Sequence, residues 1–337
     1  MSQQAKSIRE YIIKNLEHYP GDIVAMAAKH FLVTRTTVHR HLNYLIKQGL
    51  IIKSGTTRDV RYNLQSRLAR KMSYKISRGL SEFNVFKSDF EDIFLQFPKN
   101  IYDICLYGFT EIFNNAIDHS EGRNITVSTE YANDCLRITI DDDGIGLFSL
   151  INEYLKLEDI REAILQISKG KITTSPAHHS GEGIFFTSRV FDCFDIYANN
   201  LHYFRDNLEK DWGLETLSNK TKGTSVCLSI QSDSKTKLVE VFEHYQDPQS
   251  LSFNRTEILI KLSQYGDTPL ISRSQAKRII IGLEKFQHIT LDFSGVRLIG
   301  QGFVDELFRV FLNQYPGITI EYVHANPDVQ FMIQRSL

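Results

Sequence analysis

The stretch LRITIDDDGIGLF, residues 136–148, constrains this chain more than any other. Alternation makes its first half a buried strand, and Asp141, Asp142 and Asp143 emerge together at the strand's end. Gly144 and Gly146 follow at once, in a D-x-G-x-G pattern that starts at Asp142. Glycines let a backbone turn sharply where a side chain would collide. The fold must therefore hold carboxylates at the mouth of a sheet, beside a tight turn.

Three more motifs flank this one. YGFTEIFNNAIDHS, residues 107–120, is helical, and Glu111 and Asn115, four apart, share one of its faces. The Asn115 amide oxygen can ligate Mg2+, and a carboxylate one turn away can orient or deprotonate a nucleophile. Ile112, Phe113 and Ile117 belong to other faces and pack. In HHSGEGIFFTSRVFD, residues 178–192, Gly181 and Gly183 precede a helical apolar run. Glycines that open a helix leave N–H groups bare at its positive end, which suits phosphates. In KGTSVCLSI, residues 222–230, Gly223-Thr224 leads into a strand. Each motif alone is common: an acid-glycine turn also suits an ordinary loop or a calcium site.

In this order and spacing the four resemble the N, G1, G2 and G3 boxes of the GHKL superfamily, which includes gyrase B, heat-shock chaperones, mismatch-repair ATPases and histidine kinases. The resemblance covers about 140 residues and implies Mg-ATP bound in a pocket between residues 111 and 224. It implies that Asn115 is the Mg2+ ligand, that Asp142 reads the adenine amino group, and that Gly144 and Gly146 shape the G1 turn. Gly181 and Gly183 match G2, Gly223 with Thr224 matches G3, and Asp118 is a further expected nucleotide contact. Residues 147–180, with Lys156, Arg161, Lys169 and Lys171, correspond to the ATP lid; His178 and His179 are lid surface or phosphate contacts. The chain departs from the kinase G2 pattern at Phe185, where another glycine is common.

The N-terminal 65 residues carry ten basic against four acidic side chains, an excess of six in a chain whose net charge is −1. Such a basic block points to a polyanion partner. Residues 7–19 have apolar positions at helical spacing; Asp22 can cap a second helix through Phe31, and Thr34 a third that stops at Gly49. LIIKSGTTRDVRYNL then reads as strand, turn, strand. The whole, residues 1–66, resembles a winged helix-turn-helix, carried by TRTTVHRHLNYLIKQGLI. Val38, Leu42 and Leu45 face the core. Arg35, Thr36, His39, Arg40 and Asn43 share the opposite face as expected DNA contacts, with Arg58 and Arg61 in the wing. A protein-docking or dimerisation module is the alternative use of such a fold. Residues 67–98, with Phe83, Phe86, Phe90 and Phe94 at helical spacing, are expected as a connecting helix packed on the domain at 99–240.

Residues 250–337 alternate strand and helix. RTEILIKL and HITLDFSG read as strands, 272–286 as a helix capped by Ser272 and Gln275, 302–315 as a second helix, GITIEYV as a strand, and Pro327 opens a last helix. LDFSGVRLIGQGFVDELFRVF resembles a STAS-like domain. Anti-sigma-factor antagonists carry a phosphoacceptor serine there; this chain has Gly300, Gln301 and Gly302, and Ser294 is out of register. A docking role for this part is the expectation.

The fold expected is α+β and multidomain: winged helix, GHKL α/β sandwich, small STAS-like α/β domain. No apolar run approaches the ~20 residues of a membrane span, and MSQQAKSIREYI lacks a signal-peptide pattern, so a cytoplasmic protein with no membrane partner is expected. The four cysteines form no C-x-x-C pair and are expected to be buried, reduced thiols. ATP and Mg2+ are the expected cofactors, with DNA, a protein at the STAS-like domain, and a second copy of the chain as partners. Residues 67–110 hold no histidine for a kinase of the usual histidine type. Three outcomes stay open: a slow ATPase using Glu111 in an ATP-controlled DNA-binding regulator, a serine/threonine kinase of the anti-sigma type, or a non-catalytic ATP sensor.

Overall fold

The computed structural model describes residues 3–16, 18–47, 50–55, 60–64, 68–172, 181–218, 221–264 and 268–336. It is a mixed α+β chain of two compact units, Met1–Arg70 with Ser128–Arg137, and Lys71–Val127 with Ile138–Leu337. Among the described residues no helix is long and apolar enough to cross a membrane.

In the first unit, helices Gln3–Asn15, Ile23–Phe31 and Arg35–Lys47 precede strands β1 (Ile51–Ser54) and β2 (Arg61–Leu64). The first helix starts and ends four residues earlier than its apolar spacing suggested, but Ile8, Ile12 and Leu16 are buried. They pack with Ile23, Ala27, Val38, Leu42, Leu45, Ile51 and Tyr62 in one core. Asp22 stands at the N-cap of its helix without a side-chain cap bond. Thr34 does cap: its Oγ1 accepts from the Thr37 N–H at 3.2 Å. β1 and β2 pair antiparallel, Ile51 opposite Leu64, and the Tyr62 N–H donates to the Pro20 carbonyl at 2.9 Å. Arg35, Thr36, His39, Arg40 and Asn43 are all exposed on one helix. Arg58 and Gly49 lie outside the described residues.

The second unit departs from expectation at its start. Residues expected to be helical form strand β3 (Leu68–Lys75), at the edge of a seven-stranded sheet. Polar side chains suit an edge, and Ser73 Oγ lies 2.9 Å from Thr126 Oγ1. Helix begins only at Glu82, after Ser81, whose Oγ accepts from the Asn84 N–H. It runs to Phe94 with a wide π turn over Phe86–Phe90. Phe86, Phe90 and Phe94 are fully buried, whereas Phe83 is exposed.

The sheet continues with β4 (Asn124–Ala132), β5 (Cys135–Asp142), β6 (Cys193–Ala198), β7 (Leu201–Asp206), β8 (Asp211–Thr216) and β9 (Thr224–Gln231), in the spatial order β3-β4-β5-β9-β6-β7-β8. One face is apolar, with Ile138, Ile140, Phe194, Ile196, Val226, Leu228 and Ile230 buried. Helices Lys99–His119 and Gly183–Val190 contribute buried Ile112, Phe113, Phe185 and Phe186. Cys105 is buried, and burial raises its thiol pKa. The other three cysteines are only half-buried, a correction to the expectation of burial. Cys193 and Cys227 alternate with buried neighbours along β6 and β9, which puts them on the opposite face.

A smaller parallel sheet follows, ordered β10 (Arg255–Leu259), β11 (His288–Asp292), β12 (Thr319–Val323). The expected strand RTEILIKL is shorter, turning into a 3-10 helix at Ile260. Ser272 and Gln275 form the expected capping box on the helix Arg273–Ile280, which ends before Gly282. Helical residues Gln301–Gln314 include a π stretch over Asp305–Val310, and Asn326 caps Pro327–Gln334.

Helix Glu162–Lys169 binds this sheet to the larger one. All eight residues are buried. Thr256 of β10 donates its hydroxyl to the Lys169 carbonyl at 2.7 Å. Lys169 Nζ donates to Gln166 Oε1 at 3.0 Å and to the carbonyls of Ile281 at 2.8 Å and Arg278 at 3.3 Å. Burial pushes this amine down to about 7, against Glu284 and Glu162, which favour its charge, while Lys285 adds to the lowering. The unfolded amine titrates near 10.5, so between about pH 7 and 10.5 the unfolded chain binds more protons. Stability therefore rises with pH in that window, by up to ~1.4 kcal/mol per unit. Urea unfolding from pH 7 to 9.5 should show this rise in the wild type and lose it in Lys169→Met; equal slopes would refute the assignment.

Candidate functional site

Asp142, Asn115 and Thr224 converge on one small cavity, with Ile112, Ala116, His119, Ser120, Ile140, Leu147, Leu150, Ile184 and Val226. The sheet explains the convergence. β6 pairs antiparallel with β9, Ala198 opposite Thr224, so the turn after β6 abuts the start of β9. Asp142 Oδ1 accepts from the Gly144 N–H at 2.9 Å and from the Thr224 N–H at 3.2 Å. Thr224 Oγ1 accepts from the Leu147 N–H at 2.9 Å. One carboxylate thus ties the D-x-G-x-G turn to the strand start that follows Gly223. Gly223 holds φ +71°, and a Cβ there would strike the Asp142 carbonyl. Only glycine admits this approach.

The three aspartates have separate tasks. Burial raises the Asp142 pKa, opposed by the N–H groups of Gly144 and Thr224. Asp143 turns away: Oδ1 accepts from the N–H groups of Arg123 at 2.6 Å and Asn124 at 2.9 Å, and Oδ2 from the Asn124 amide at 2.9 Å. These bonds, the Asn124 N–H foremost, hold its carboxyl well below the usual range. Asp141 is half-buried and outside the cavity lining.

Glu111 does not line this cavity. Its carboxylate lies against Gly183, where a Cβ would collide with Oε2, at the opening of the Gly183–Val190 helix. Glu182 beside it has its pKa raised by burial, with Lys171 opposing. Burial, then Glu111 and Glu182, also raise Tyr107. Gly144 and Gly146 form the turn itself, and Gly181 precedes the helix with φ +72°. Asp118 is exposed and is not part of the lining, whereas the next residue, His119, is.

Much of the segment expected as a lid is helical where the chain is described. Residues 173–180, with His178 and His179, lie outside the described residues. Leu147–Leu155 and Glu162–Lys169 are helices, and Lys169 is buried structure. Arg161 pairs with Asp159 at 2.5 Å. Lys171 Nζ donates to the Lys285 carbonyl at 2.9 Å and lies over the Phe286 ring. Lys156 ends its helix in the left-handed region.

Phe185 has a structural reason to stand where glycine is common. Its ring packs on Phe253 and Tyr245, and the Arg189 guanidinium lies 3.4 Å from its centroid. Arg189 is buried, with Nη1 donating to the Phe185 carbonyl and Ser188 Oγ, both at 3.1 Å.

Sequence reasoning missed Asn199. Its Oδ1 accepts from the Ser149 N–H at 3.1 Å, and its Nδ2 donates to the Ile145 carbonyl at 3.0 Å. The signal was the Asn199-Asn200 pair between two strands, where both residues take φ above 50°.

The cavity measures about 30 Å3, against ~300–1,000 Å3 for ligand pockets. Among the described residues no cluster of three or more His, Cys, Asp or Glu side chains could hold a metal; a Mg2+ at Asn115 would take most of its oxygens from a ligand and water.

Residues 275–330 match the family model described as a STAS-like domain of unknown function (DUF4325). The match runs from within helix Arg273–Ile280 to within helix Pro327–Gln334. No curated protein matches the chain.

Asn199→Ala removes both anchors of the 145–149 turn. It should lower unfolding free energy by ~1–3 kcal/mol in urea titrations; an unchanged midpoint would show that the turn holds without it.

Proposed function

We propose that the chain is an ATP-binding and DNA-binding regulator. In this reading a winged helix-turn-helix at 1–66 precedes a GHKL α/β sandwich at 99–240 and the STAS-like domain. Mg-ATP in the pocket controls conformation or dimerisation, and slow hydrolysis resets it. The observation that carries the reading is the Asp142 carboxylate, fixed by two backbone N–H groups in an apolar cavity that Asn115 and Thr224 share.

These residues fit the group. Asp142 can accept from an exocyclic amino group while Ile140, Leu150 and Ile184 cover the faces of a purine. Thr224 and Leu147 are already joined, so the base meets a prebuilt wall. Asn115 can offer its amide oxygen to Mg2+, which would draw charge off the phosphates. Glu111, at the opening of the Gly183–Val190 helix, can orient or deprotonate a water there. Lying outside the cavity lining, it suits a role at the far end of the nucleotide. Arg35, Thr36, His39, Arg40 and Asn43 give the first unit an exposed polar and cationic helix face, suited to phosphates and base edges.

Calorimetry with ATP and Mg2+ should show affinity falling about 10- to 100-fold in Asp142→Asn, the loss of one charge-assisted bond. Glu111→Gln should keep binding and slow phosphate release by ~100-fold or more. Equal binding by wild type and Asp142→Asn would defeat the nucleotide reading. For the first unit, Arg40→Ala should reduce the salt dependence of DNA binding by about one unit of slope; no DNA affinity at low salt would leave that face a protein-docking surface.

A further inference from the structure

Arg189, on the Gly183–Val190 helix, and Arg205, on β7, are two buried cations whose donors are not all met. Arg189 is 6% exposed, and the Arg205 side chain 12%. Asn207 ties them together. Its Oδ1 accepts from Arg205 Nε at 2.8 Å, and its Nδ2 donates to the Ser188 carbonyl at 2.9 Å and the Phe191 carbonyl at 2.7 Å. Arg189 Nη1 donates to the Ser188 hydroxyl at 3.1 Å. The same short link, Ser188 to Asn207, therefore holds both guanidiniums. Aromatic rings lie over them: Phe185 and Tyr245 over Arg189, with centroids at 3.4 and 5.2 Å, and Trp212 over Arg205 at 4.6 Å. Their edges are left. Arg189 Nε and Arg205 Nη1 are buried and have no hydrogen-bond partner among the described residues.

The charge does not balance either. A guanidinium stays protonated at any ordinary pH, so a buried one needs a counter-charge. Arg205 has one, because its Nη2 donates to Glu257 Oε2 of β10 at 3.3 Å. Arg189 has none of its own: it donates to the Phe185 and Ser168 carbonyls and the Ser188 hydroxyl. After burial itself, the like charge of Arg205 does most to lower the Arg189 pKa; Tyr245, Glu257 and Tyr203 oppose it more weakly. Two guanidiniums and one carboxylate leave a single positive charge unbalanced. Water would satisfy the bare N–H groups but would leave that charge in place.

We propose that this cluster binds one small monovalent anion, chloride in ordinary salt, on Arg189 Nε and Arg205 Nη1. One halide offsets the excess, whereas a phosphate dianion would overshoot it. With the ring planes already covered, approach is along the edges of the guanidiniums, which suits a compact ion that has no preferred orientation. Because Glu257 belongs to β10, the ion also bears on the contact between the small parallel sheet and the larger one. The site is independent of whatever the Asp142 cavity holds.

The full chain can be unfolded in urea at constant ionic strength while sodium gluconate is replaced stepwise by sodium chloride. Stability should rise with the logarithm of chloride concentration, at a slope approaching about one ion per chain. The chloride NMR line should broaden when the protein is added and narrow again when bromide competes. Arg189→Met keeps the packing of the stem and removes the unbalanced charge, so it should lose the slope and leave the line narrow. Arg205→Met also balances the cluster and carries the same expectation should Arg189→Met not fold. The NMR measurement on the wild type needs neither variant. Stability indifferent to the exchange, an unbroadened line, or the same slope and broadening in the folded variants would overturn the assignment and leave water on these N–H groups.

Discussion

Asp142 is where three separate segments of the larger sheet are joined. Its Oδ1 receives N–H groups from its own turn and from the start of β9. Thr224, which supplies one of them, receives the Leu147 N–H on its hydroxyl. Asn199 then holds both flanks of the same turn. A partly buried carboxylate is costly unless donors surround it, and here burial and hydrogen bonding pull its pKa in opposite directions. That tension explains the local sequence. Glycine at 223 is required by the approach of the Asp142 backbone, and β6 and β9 must keep their register for the donors to arrive. The cavity beside this carboxylate is consequently narrow and apolar, with its polar groups already oriented.

Much of this was legible because it depended on local rules. Helical spacing placed Val38, Leu42 and Leu45 in one core, and Phe86, Phe90 and Phe94 in another. The capping box at Ser272 and the proline-led last helix followed from residue chemistry at the helix start itself. The acid-glycine pattern led directly to Asp142 and its cavity. Other features were hidden because partners distant in sequence decide them. Leu68–Lys75 has a composition that suits helix, but the exposed edge beside β4 makes it a strand. Asp118 shares a helix with Asn115, but the turn of that helix carries it outward and brings His119 to the cavity. Lys169 belongs to the segment expected as a lid; the carbonyls of Arg278 and Ile281 that it bonds to lie in and just after a helix beside another sheet. Phe185 breaks a glycine pattern because Arg189 and Phe253 need its ring.

The charges in the second unit divide by purpose. Asp143 is held by backbone donors and stays ionised, closing the start of β4. Lys169 and Arg189 are buried basic groups served mainly by carbonyl and hydroxyl oxygens, and burial lowers the pKa of both. Glu111 and Glu182 sit together near the opening of one short helix, beside a tyrosine that burial and their charge keep protonated.

The buried Glu162–Lys169 helix has a further consequence. It follows directly on the segment that lines the cavity, and its last residue is hydrogen-bonded to β10 and to the helix after it. It has no solvent-facing side on which to slide. Any displacement of Leu147–Leu155 that widens the cavity must be absorbed at the seam with the STAS-like domain, or be opposed there. Were a ligand of the cavity and a partner of the STAS-like domain each to favour one seat of this helix, each would change the other's affinity by the same factor.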